Sequence, residues 1–400
     1  MPSTVEVVVI GGGPAGLTAA IALAQAGVET VLVTLPSRAR DNRTTALLAT
    51  SVTALQTLGA WQTCSDRAAP LRAIRLIDDT ARLLRAPEVL FAADEIGLDA
   101  FGHNIENRFL MAALDARARA LSSLTIVEDQ AQAVVIADDA VTVTRKTGAP
   151  LLARLAIGAD GRGSLCRQAA GIATDAHLYR ESALTFNLSH RRPHADISTE
   201  FHTAAGPFTL VPLPGFRSSL VMVVDAGEAA RVAARGEDQL VQEIERRSHS
   251  ILGKVAVESG HGLFPLAVER ARRFADRRVA LIGEAAHLLP PIGAQGLNLG
   301  LRDAAAIAEL AVAAHRNGRD VGAAEVTERY DAGRRLDVGS RTLAVDLLHR
   351  SLLSDFLPLQ GARGLSLFML GRIGPLRRAM MREGVAPATA RLRLLRGEAL

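Results

Sequence analysis

Apolar residues at the amino end of the chain follow a strand, helix, strand pattern. Residues 5–10 are almost uniformly apolar, which is typical of a strand buried in a parallel sheet. A helix is predicted over residues 17–26, Gly27 ends it, and residues 28–33 form a second apolar strand. Strands and helices that alternate in this way predict an α/β fold with a parallel sheet.

The pattern changes between residues 182 and 224. Short apolar segments there are separated only by turn residues, so they predict an antiparallel sheet rather than further strand–helix units. The predicted elements are strands at 183–188, 198–203, 208–212, 219–224 and 261–266, with helices at 226–235 and 238–247. Because a buried strand at 279–282 then resumes the first pattern, we predict a second domain inserted into the first.

Apolar residues spaced by three or four positions predict the remaining helices. Residues 41–47 are expected to open one helix, and Asn104 is expected to cap another over residues 105–121. A third helix spans about 297–313, and the chain is helical from about 324 onwards. The predicted division is 1–72, 99–176 and 271–330 for the first domain, 73–98 and 177–270 for the inserted domain, and 331–400 for carboxyl-terminal helices.

Composition narrows the class of protein. The chain has 400 residues, 48% hydrophobic and 22% charged, which fits a soluble globular protein of two domains. Its net charge of +4 comes from arginines spread along the chain, without a helix-turn-helix, zinc or RNA-binding signature, so we exclude nucleic-acid binding. Cys64 and Cys166 have no metal-ligand spacing, and no signal peptide or membrane-spanning run is visible. We expect a cytoplasmic protein without a metal site.

A glycine-rich turn joins the first strand to the first helix. Residues 11–16 read Gly-Gly-Gly-Pro-Ala-Gly and match G-x-G-x-x-G, which in this context is a dinucleotide-binding fingerprint. The second strand of such a unit usually ends in Asp or Glu, which binds the adenosine ribose, but here that position is Thr34. A neutral hydroxyl replaces only part of a charge-assisted hydrogen bond, a loss of about 1–2 kcal/mol.

Two further turns carry acidic residues at strand ends. Asp160 follows the strand predicted before Gly158, where open α/β sheets bind ligands, although Asp-Gly is also a common turn sequence. Glu284 follows the strand at 279–282 and precedes a loop with Pro290 and Pro291. A helix entered through glycines comes next, and its N-terminus favours negative charge. A carboxylate suits hydroxyl groups, so a flavin, with its ribitol and its anionic reduced ring, fits both features.

These three turns in this order resemble those of the single-component FAD-dependent aromatic hydroxylases. Within that group the chain is most similar to the ubiquinone-biosynthesis hydroxylases of the UbiH/VisC type, through residues 104–108, 206–214 and 340–356. The chain departs from the family pattern at Glu284, where Asp is usual, and at Thr34, where Glu is usual. The first change keeps a carboxylate, whereas the second puts the affinity for the cofactor in question.

The resemblance implies a fold like that of p-hydroxybenzoate hydroxylase. This fold has a Rossmann-like FAD-binding domain, an inserted mixed or antiparallel β-sheet domain for the substrate, and a carboxyl-terminal helical segment. It also implies that NAD(P)H reduces the flavin, which then activates O2 to hydroxylate an aromatic ring. Because the sequence has no second fingerprint of this kind, NAD(P)H is expected to bind only transiently. The expected substrate is a lipophilic phenol, specifically a polyprenylated intermediate of ubiquinone biosynthesis.

Two alternative functions stay open at this point. One is a flavin hydroxylase that acts on a smaller soluble aromatic compound. The other is a non-catalytic flavin protein that acts as a scaffold for other quinone-biosynthesis enzymes, an idea that Thr34 supports. The arginine-rich tail either covers the core or touches the inner face of the cytoplasmic membrane as a peripheral contact.

The resemblance and the turns together give a set of expected site residues. The expected FAD contacts are Gly11, Gly13, Ala15, Gly16, Thr34, Arg43, Arg108, Asp160, Gly283, Glu284, Pro291, Gly293, Gln295, Gly296, Leu297 and Asn298. No catalytic acid or base stands out, and the candidates near the reaction are His287, Tyr179 and Pro291. For His287 a structural hydrogen bond is the main alternative. Candidate pocket walls, with core packing as their alternative, are Phe186, Phe201, Phe208, Phe264 and Leu210.

The neutral Thr34 side chain generates a first prediction. We expect the protein to bind FAD loosely and to purify partly without it, because one charge-assisted hydrogen bond is missing. A fluorescence titration of the apoprotein with FAD measures the dissociation constant. A value in the low-nanomolar range would contradict the prediction.

Overall fold

The fold was analysed in a computed structural model of the chain. It describes residues 4–36, 43–80, 85, 87–290, 293–353, 369, 372–385 and 392–400, without the side chains of residues 259 and 344–353. The described helices are α1 (Pro14–Gln25), α2 (Ala49–Thr57), α3 (Asn107–Arg119), α4 (Leu165–Ala169), α5 (Ala226–Ala233), α6 (Glu237–Arg247), α7 (Gln295–Arg316), α8 (Ala324–Leu353) and α9 (Gly374–Val385).

The strands form three sheets in the part of the chain that the structure describes. They are β1 (Thr4–Ile10), β2 (Thr30–Thr34), β3 (Thr44–Leu48), β4 (Ala68–Pro70), β5 (Ala73–Asp78), β6 (Val89–Ala92), β7 (Gly102–Glu106), β8 (Leu124–Glu128), β9 (Ala131–Ile136), β10 (Val141–Arg145), β11 (Leu151–Gly158), β12 (Thr174–His190), β13 (Ile197–Thr203), β14 (Gly206–Leu213), β15 (Arg217–Asp225), β16 (Val255–Ala271), β17 (Ala275–Asp276), β18 (Val279–Leu281) and β19 (His287–Leu288).

The first sheet has the order β17-β18-β11-β1-β2-β8 along its main path. The central strands β18, β11, β1, β2 and β8 are parallel, so their carboxyl ends lie at one edge. Helix α1 packs against this sheet and against α7, and its residues from Ala15 to Ala24 are all buried. A strand buried on both faces needs apolar residues at every position, which explains why residues 7–10 are all apolar.

The second sheet has the order β19-β16-β12-β15-β14-β13-β5-β6. All its pairs are antiparallel except β5 with β13, which is parallel. Helices α5 and α6 cover one face through an apolar cluster that includes Phe186, Phe201 and Phe208. The predicted α/β fold with an inserted mixed sheet and helices near the carboxyl end is confirmed. The residue boundaries of the domains remain a prediction.

Two helix predictions were wrong at their amino ends. The helix expected to open over residues 41–47 is preceded by β3, and α2 starts only at Ala49. The helix expected from residue 105 starts at Asn107, and Asn104 is not its cap because it lies within β7. Strands β3 and β4 both pair with β7, and this backbone pairing outweighs the helical spacing of the apolar residues.

The final described segment covers the first core. Leu394 and Leu395 are buried against α2 and α7, and the backbone N–H of Arg393 donates to Glu309 Oε2 at 2.9 Å. Arg316 donates to the carbonyl oxygen of Leu400 at 2.7 Å. Residues 392–400 therefore follow the core-covering alternative, while Arg391 lies outside the described residues. None of the helices searched in the described chain is long and apolar enough to cross a membrane.

One buried hydrogen bond between α8 and β18 yields a stability prediction. The hydroxyl of Tyr330, which is 1% exposed, donates to the carbonyl oxygen of Leu281 at 2.7 Å. The substitution Tyr330→Phe leaves that carbonyl without this donor, so we expect a loss of about 1–3 kcal/mol in the free energy of unfolding. Urea denaturation measures it, and a loss below about 0.5 kcal/mol would contradict the assignment.

Candidate functional site

A groove runs along the carboxyl edge of the first sheet beside the glycine turn. This glycine groove has a volume of about 670 Å³ and is lined by the ends of β1, β2, β8 and β11. A Cβ atom on Gly11 would lie 2.2 Å from the carbonyl oxygen of Ala159, and one on Gly16 would lie 1.9 Å from that of Gly11. Only glycine allows this close approach of β1, α1 and β11, and α1 begins directly at the groove.

The far end of the glycine groove holds Thr34 and Asp129. Thr34 Oγ1 donates to the carbonyl oxygen of Leu35 at 3.0 Å, so it is left as an acceptor. The Asp129 carboxylate accepts from Thr147 Oγ1 at 2.8 Å and from the backbone N–H of Gln130 at 2.7 Å. Sequence reasoning missed Asp129, although an acidic residue directly after a strand of the parallel sheet was an available signal. Its hydrogen bonds hold the loop after β8.

One carboxylate oxygen of Asp160 accepts hydrogen bonds, and the other has no hydrogen-bond partner among the described residues. Its Oδ2 accepts from the backbone N–H groups of Leu165 at 2.7 Å and Cys166 at 3.2 Å, which orders the start of α4. Its Oδ1 is buried and makes no hydrogen bond to a described residue. Burial, together with the Asp160 carboxylate, raises the pKa of the nearby Cys166 thiol. A buried carboxylate oxygen of this kind fits a ligand hydroxyl group. Asp160 therefore has both the turn role and the capacity for a ligand contact.

A second cavity, the loop cleft, continues the glycine groove. It has a volume of about 440 Å³ and shares Gly13, Ala159 and Gly161 with the groove, so the two form one elongated site. The expected residues that line the loop cleft are Gly13, Ala15, Gly16, Arg43, Gly283, Glu284, Gly296 and Leu297, together with His287. Thr44, Thr45 and Asn107 also line it. The Glu284 side chain is 57% exposed and lies 3.5 Å from Arg162 Nε.

The start of α7 at the loop cleft is shaped by a strained turn. Gly293 and Ala294 both have left-handed backbone angles, with φ of 63° and 54°. For Ala294 this conformation costs about 1–2 kcal/mol, so the surrounding contacts must impose it. Asn298 supplies such contacts, because it accepts from the N–H of Leu48 and donates to the carbonyl oxygen of Ala46, each at 2.9 Å. The first turn of α7, with its backbone N–H groups, therefore lies beside the loop cleft.

Asn298 and Gln295 have structural roles that their side chains reveal. Asn298 is fully buried and its polar atoms bind backbone groups of β3 and of the turn. Gln295 donates to the carbonyl oxygen of Gly293 at 2.9 Å and accepts from Arg341 at 3.4 Å. Both amides fix the turn before α7, and any contact to a ligand ring would come from the backbone at this point.

A fully buried carboxylate lies beneath the loop cleft. Asp303 Oδ2 accepts from the N–H of Gly283 at 3.0 Å and from His287 Nε2 at 2.7 Å. Its Oδ1 accepts from Arg334 Nε at 2.7 Å. Burial would raise the pKa of Asp303, but Arg334 and His287 hold it below its ordinary value. The hydrogen bond to His287 supports the structural interpretation of that histidine, whose Nδ1 is buried without a hydrogen bond to a described residue.

The ion pair extends from Asp303 into α8. Arg334 also donates to Asp337 Oδ2 at 2.6 Å, and Arg302 Nη1 donates to Asp337 Oδ1 at 3.2 Å. Burial lowers the pKa of Arg302 to about 10 despite the neighbouring Asp337. Arg334 and Asp337 of α8 therefore pair with charged residues of α7. Arg341 of α8 also donates to Gln295 at the start of α7.

Several expected residues lie elsewhere. Arg108 lines neither cavity and instead donates to Glu106 Oε1 at 2.9 Å. Tyr179 lines neither cavity and packs against Ala183 and its neighbours in the second sheet. Pro291 lies outside the described residues. Of the candidate pocket walls, Phe201, Phe208 and Leu210 belong to the core under α5 and α6.

Phe186 and Phe264 line a third cavity, the aromatic cavity, between the second sheet and β3. Its volume is about 190 Å³, and its other lining residues include Thr185, Asn187 and Ser219. Arg43 and Thr44 line both this cavity and the loop cleft, so the two meet at that point. The guanidinium of Arg43 lies 5.5 Å from the centre of the Phe264 ring.

Removal of the Asp303 charge provides a test of the buried ion pair. In Asp303→Asn the buried guanidinium of Arg334 keeps Asp337 but loses its other carboxylate, and His287 loses its anionic partner, so we expect a cost of about 3 kcal/mol in the free energy of unfolding. The folded pKa of Asp303 is depressed, so its stabilisation is complete above the unfolded pKa of about 3.9 and is lost as the pH falls through the folded value. The difference from wild type should therefore be constant between about pH 5 and 8 and shrink below about pH 4.

Urea unfolding across this pH range measures the difference, and Asp139→Asn in the exposed turn between β9 and β10 is the control. We expect the control to change stability by less than about 0.5 kcal/mol. An equal loss in both variants would contradict the role of Asp303.

Comparison with known proteins agrees with this geometry. A family model described as an FAD binding domain matches residues 4–343. The ubiquinone hydroxylase UbiL of Rhodospirillum rubrum is 34% identical over 98% of this chain and 92% of its own length. The 3-demethoxyubiquinol 3-hydroxylase of Escherichia coli is 30% identical over 94% of this chain and 97% of its own.

Solved structures share the fold. The p-nitrophenol 4-monooxygenase PnpA of Pseudomonas putida has a TM-score of 0.79 at 21% identity and covers 98% of this chain and 100% of its own. HpxO of Klebsiella pneumoniae, solved with FAD and uric acid, has a TM-score of 0.75 at 20% identity and covers 96% of this chain and 97% of its own. The chain is therefore an FAD-binding protein that belongs to the FAD-binding-domain family, in the group of flavoprotein monooxygenases that contains the ubiquinone-biosynthesis hydroxylases.

Proposed function

We propose that this protein uses NAD(P)H and O2 to hydroxylate the ring of a polyprenylated phenol in ubiquinone biosynthesis. One structural observation carries the proposal: the loop cleft and the aromatic cavity meet at Arg43 and Thr44. A ring in that cavity would lie next to the part of the elongated site that α7 faces. The similarity to the ubiquinone hydroxylases from Rhodospirillum rubrum and Escherichia coli supports the same reaction class.

The residues of the elongated site suit the parts of FAD. The N-terminus of α1 and the glycine turn would hold the pyrophosphate, because N–H groups and a positive dipole end face it there. The unpartnered oxygen of Asp160 and the carboxylate of Glu284 would accept from ribitol hydroxyls. The first turn of α7, at Gly296 and Leu297, would lie by the ring and favour its anionic form. We propose the remaining expected contacts on the same grounds.

The bound flavin supplies the redox and oxygen chemistry, while the protein positions the substrate and excludes water. Phe264 provides an apolar wall, whereas the Phe186 side chain belongs to the core on the other face of the sheet, and Arg43 lies at the opening towards the loop cleft. Asp303 and Asn298 hold the loop and helix that border the reacting atoms, so the site is rigid there. We propose that His287 is a positioning residue in this loop rather than an acid or base, since its Nε2 binds Asp303.

The volume of the aromatic cavity limits how much of a substrate molecule it can hold. A cavity of about 150 Å³ is enough to hold benzene, so about 190 Å³ suits one substituted ring. A polyprenyl chain would have to extend out of this cavity, whereas a small soluble phenol would fit inside it. We propose the lipophilic substrate because of the similarity to the ubiquinone hydroxylases, and we propose transient contact with the membrane and with other enzymes of that pathway.

A deletion strain tests the function. We expect it to lose ubiquinone and to accumulate a polyprenylated phenol that lacks one hydroxyl group, and wild-type protein should restore the quinone. The variant Gly16→Val should not restore it, because a Cβ at residue 16 would collide with Gly11 and displace the pyrophosphate turn. Mass spectrometry of lipid extracts measures the intermediates, and circular dichroism checks that the variant is folded.

Each alternative has its own outcome. Unchanged ubiquinone in the deletion strain would contradict the proposal and favour a soluble aromatic substrate. Restoration by folded Gly16→Val protein that lacks FAD would instead favour the scaffold role. Purified holoenzyme should consume NAD(P)H and O2 faster when a phenol is added, which the scaffold role does not predict.

A further inference from the structure

The aromatic cavity has a polar wall on the second sheet. Residues directly opposite each other in an antiparallel pair project to the same face, and Asn187 pairs with Ser219 while Thr185 pairs with Gly262. Asn187, Ser219 and Thr185 all line the cavity, on the sheet face away from the core that contains Phe186. Hydrogen-bonding groups are therefore concentrated on this face of the sheet, and Arg43, Thr44 and His261 also line the cavity.

Ser219 keeps an available donor. Its Oγ accepts from Asn104 Nδ2 at 3.1 Å, and the same amide group donates to the carbonyl oxygen of Pro212 at 2.9 Å. A serine hydroxyl has one proton to donate besides its two acceptor positions. The side chain is 3% exposed, and no acceptor for that proton is found among the described residues. A buried donor beside a cavity fits an oxygen atom of a ligand.

The amide of Asn187 contacts a buried carboxylate, Glu106, whose arginine partners are partly exposed. Its Nδ2 donates to Glu106 Oε1 at 3.5 Å, and the Glu106 side chain is only 2% exposed. Glu106 accepts in turn from Arg108 at 2.9 Å and from Arg217 at 3.3 Å. Arg217 also donates to both oxygens of Glu258, each at 2.6 Å. Since Glu106 lies on β7 and Arg217 on β15, these bonds fix the polar wall across two sheets.

The apolar part of this sheet face depends on a glycine. A Cβ atom on Gly262 would lie 2.3 Å from Phe264 Cε2 and 2.7 Å from Thr185 Oγ1. Phe264 can therefore fold back over its own strand only because residue 262 has no side chain. Its ring forms an apolar surface beside the hydrogen-bonding groups on the same sheet face, and the Arg43 guanidinium lies 5.5 Å from the ring centre.

We propose that Ser219 binds an oxygen substituent of the aromatic substrate while its ring packs against Phe264. The hydroxyl of Ser219 donates to that oxygen, and Asn104 acts as a positioning residue for Ser219. The cavity thus selects a ring that carries a hydroxyl or ether oxygen over a plain alkylbenzene. This inference rests on the proposed function, which makes the aromatic cavity the substrate site, but its test does not need catalytic turnover.

The test compares two probes on purified holoenzyme: para-propylphenol and propylbenzene, which differ in one oxygen atom. Calorimetry gives both dissociation constants, and their ratio measures oxygen recognition. We expect wild type to prefer the phenol by about tenfold, the effect of one good hydrogen bond. In Ser219→Ala the ratio should fall close to one while the affinity for propylbenzene stays the same. Asn104→Ala should lower the ratio in part, because Ser219 is then less well oriented.

Two variants serve as controls. Ser218 is the next residue of β15, projects to the other face and pairs with His190 Nε2 at 3.0 Å, so Ser218→Ala should keep the wild-type ratio. Gly262→Ala displaces Phe264 and should raise the dissociation constants of both probes by a similar factor. Their ratio should therefore stay unchanged.

A wild-type ratio near one, or an unchanged ratio in Ser219→Ala, would overturn the inference. Loss of the preference in Ser218→Ala as well would also overturn it, because the effect would then be a general one of the strand. If the probe ratio behaves as expected but no phenol stimulates NAD(P)H oxidation, the recognition site stands and the proposed hydroxylation fails. If phenols stimulate NAD(P)H oxidation but Ser219→Ala leaves the probe ratio unchanged, the proposed hydroxylation stands and the recognition site fails.

Discussion

The site depends most on the buried carboxylate of Asp303. An isolated charge in this environment would cost several kcal/mol, so it is tolerated only because Arg334, His287 and the N–H of Gly283 all bind it. Arg334 comes from α8, His287 from β19, and Gly283 from the turn after β18. Their shared anion therefore sets the path of the loop that carries Glu284, and with it one side of the loop cleft, where we propose that the flavin lies.

A second set of polar contacts joins the sheets around the aromatic cavity. Asn104 and Glu106, both on β7, reach Ser219 and Arg217 on β15. Apolar packing alone would hold two surfaces together with little preference for one alignment, whereas buried hydrogen bonds have directions and specific partners. The width of the cavity and the placement of its polar wall follow from these bonds. The aromatic residues supply the shape, and the polar residues supply the orientation.

The two ends of the elongated site differ in how firmly they are built. Around the start of α7, Asn298, Gln295 and Asp303 bind backbone groups of the loop, and Ala294 is held in a strained conformation. At the other end Thr34 offers a neutral hydroxyl, and the Asp129 carboxylate is occupied with its own loop. The flavin ring would thus be positioned precisely even where the adenosine is held more weakly. Precision at the ring matters most for chemistry, while contacts at the adenosine matter most for affinity.

Local constraints made much of this protein readable from its sequence. The glycine turn at residues 11–16, the Asp160 turn and the loop at 283–298 each need particular residues for close approach or unusual backbone angles. The alternation of apolar and polar segments likewise indicated both sheets. These features depend on neighbours in the chain, so the residue order alone determined them.

Only the tertiary structure decided features whose partners are far apart in sequence. Strand β3 and residue Asn104 were misread because β7 pairs with strands that no local pattern announces. The contact of Asn298 with Leu48 joins residues 250 positions apart, and the bond of Arg334 to Asp303 joins two helices. The role of a polar side chain depends on which partner it meets when it is buried, and that partner is set by the packing of the whole chain.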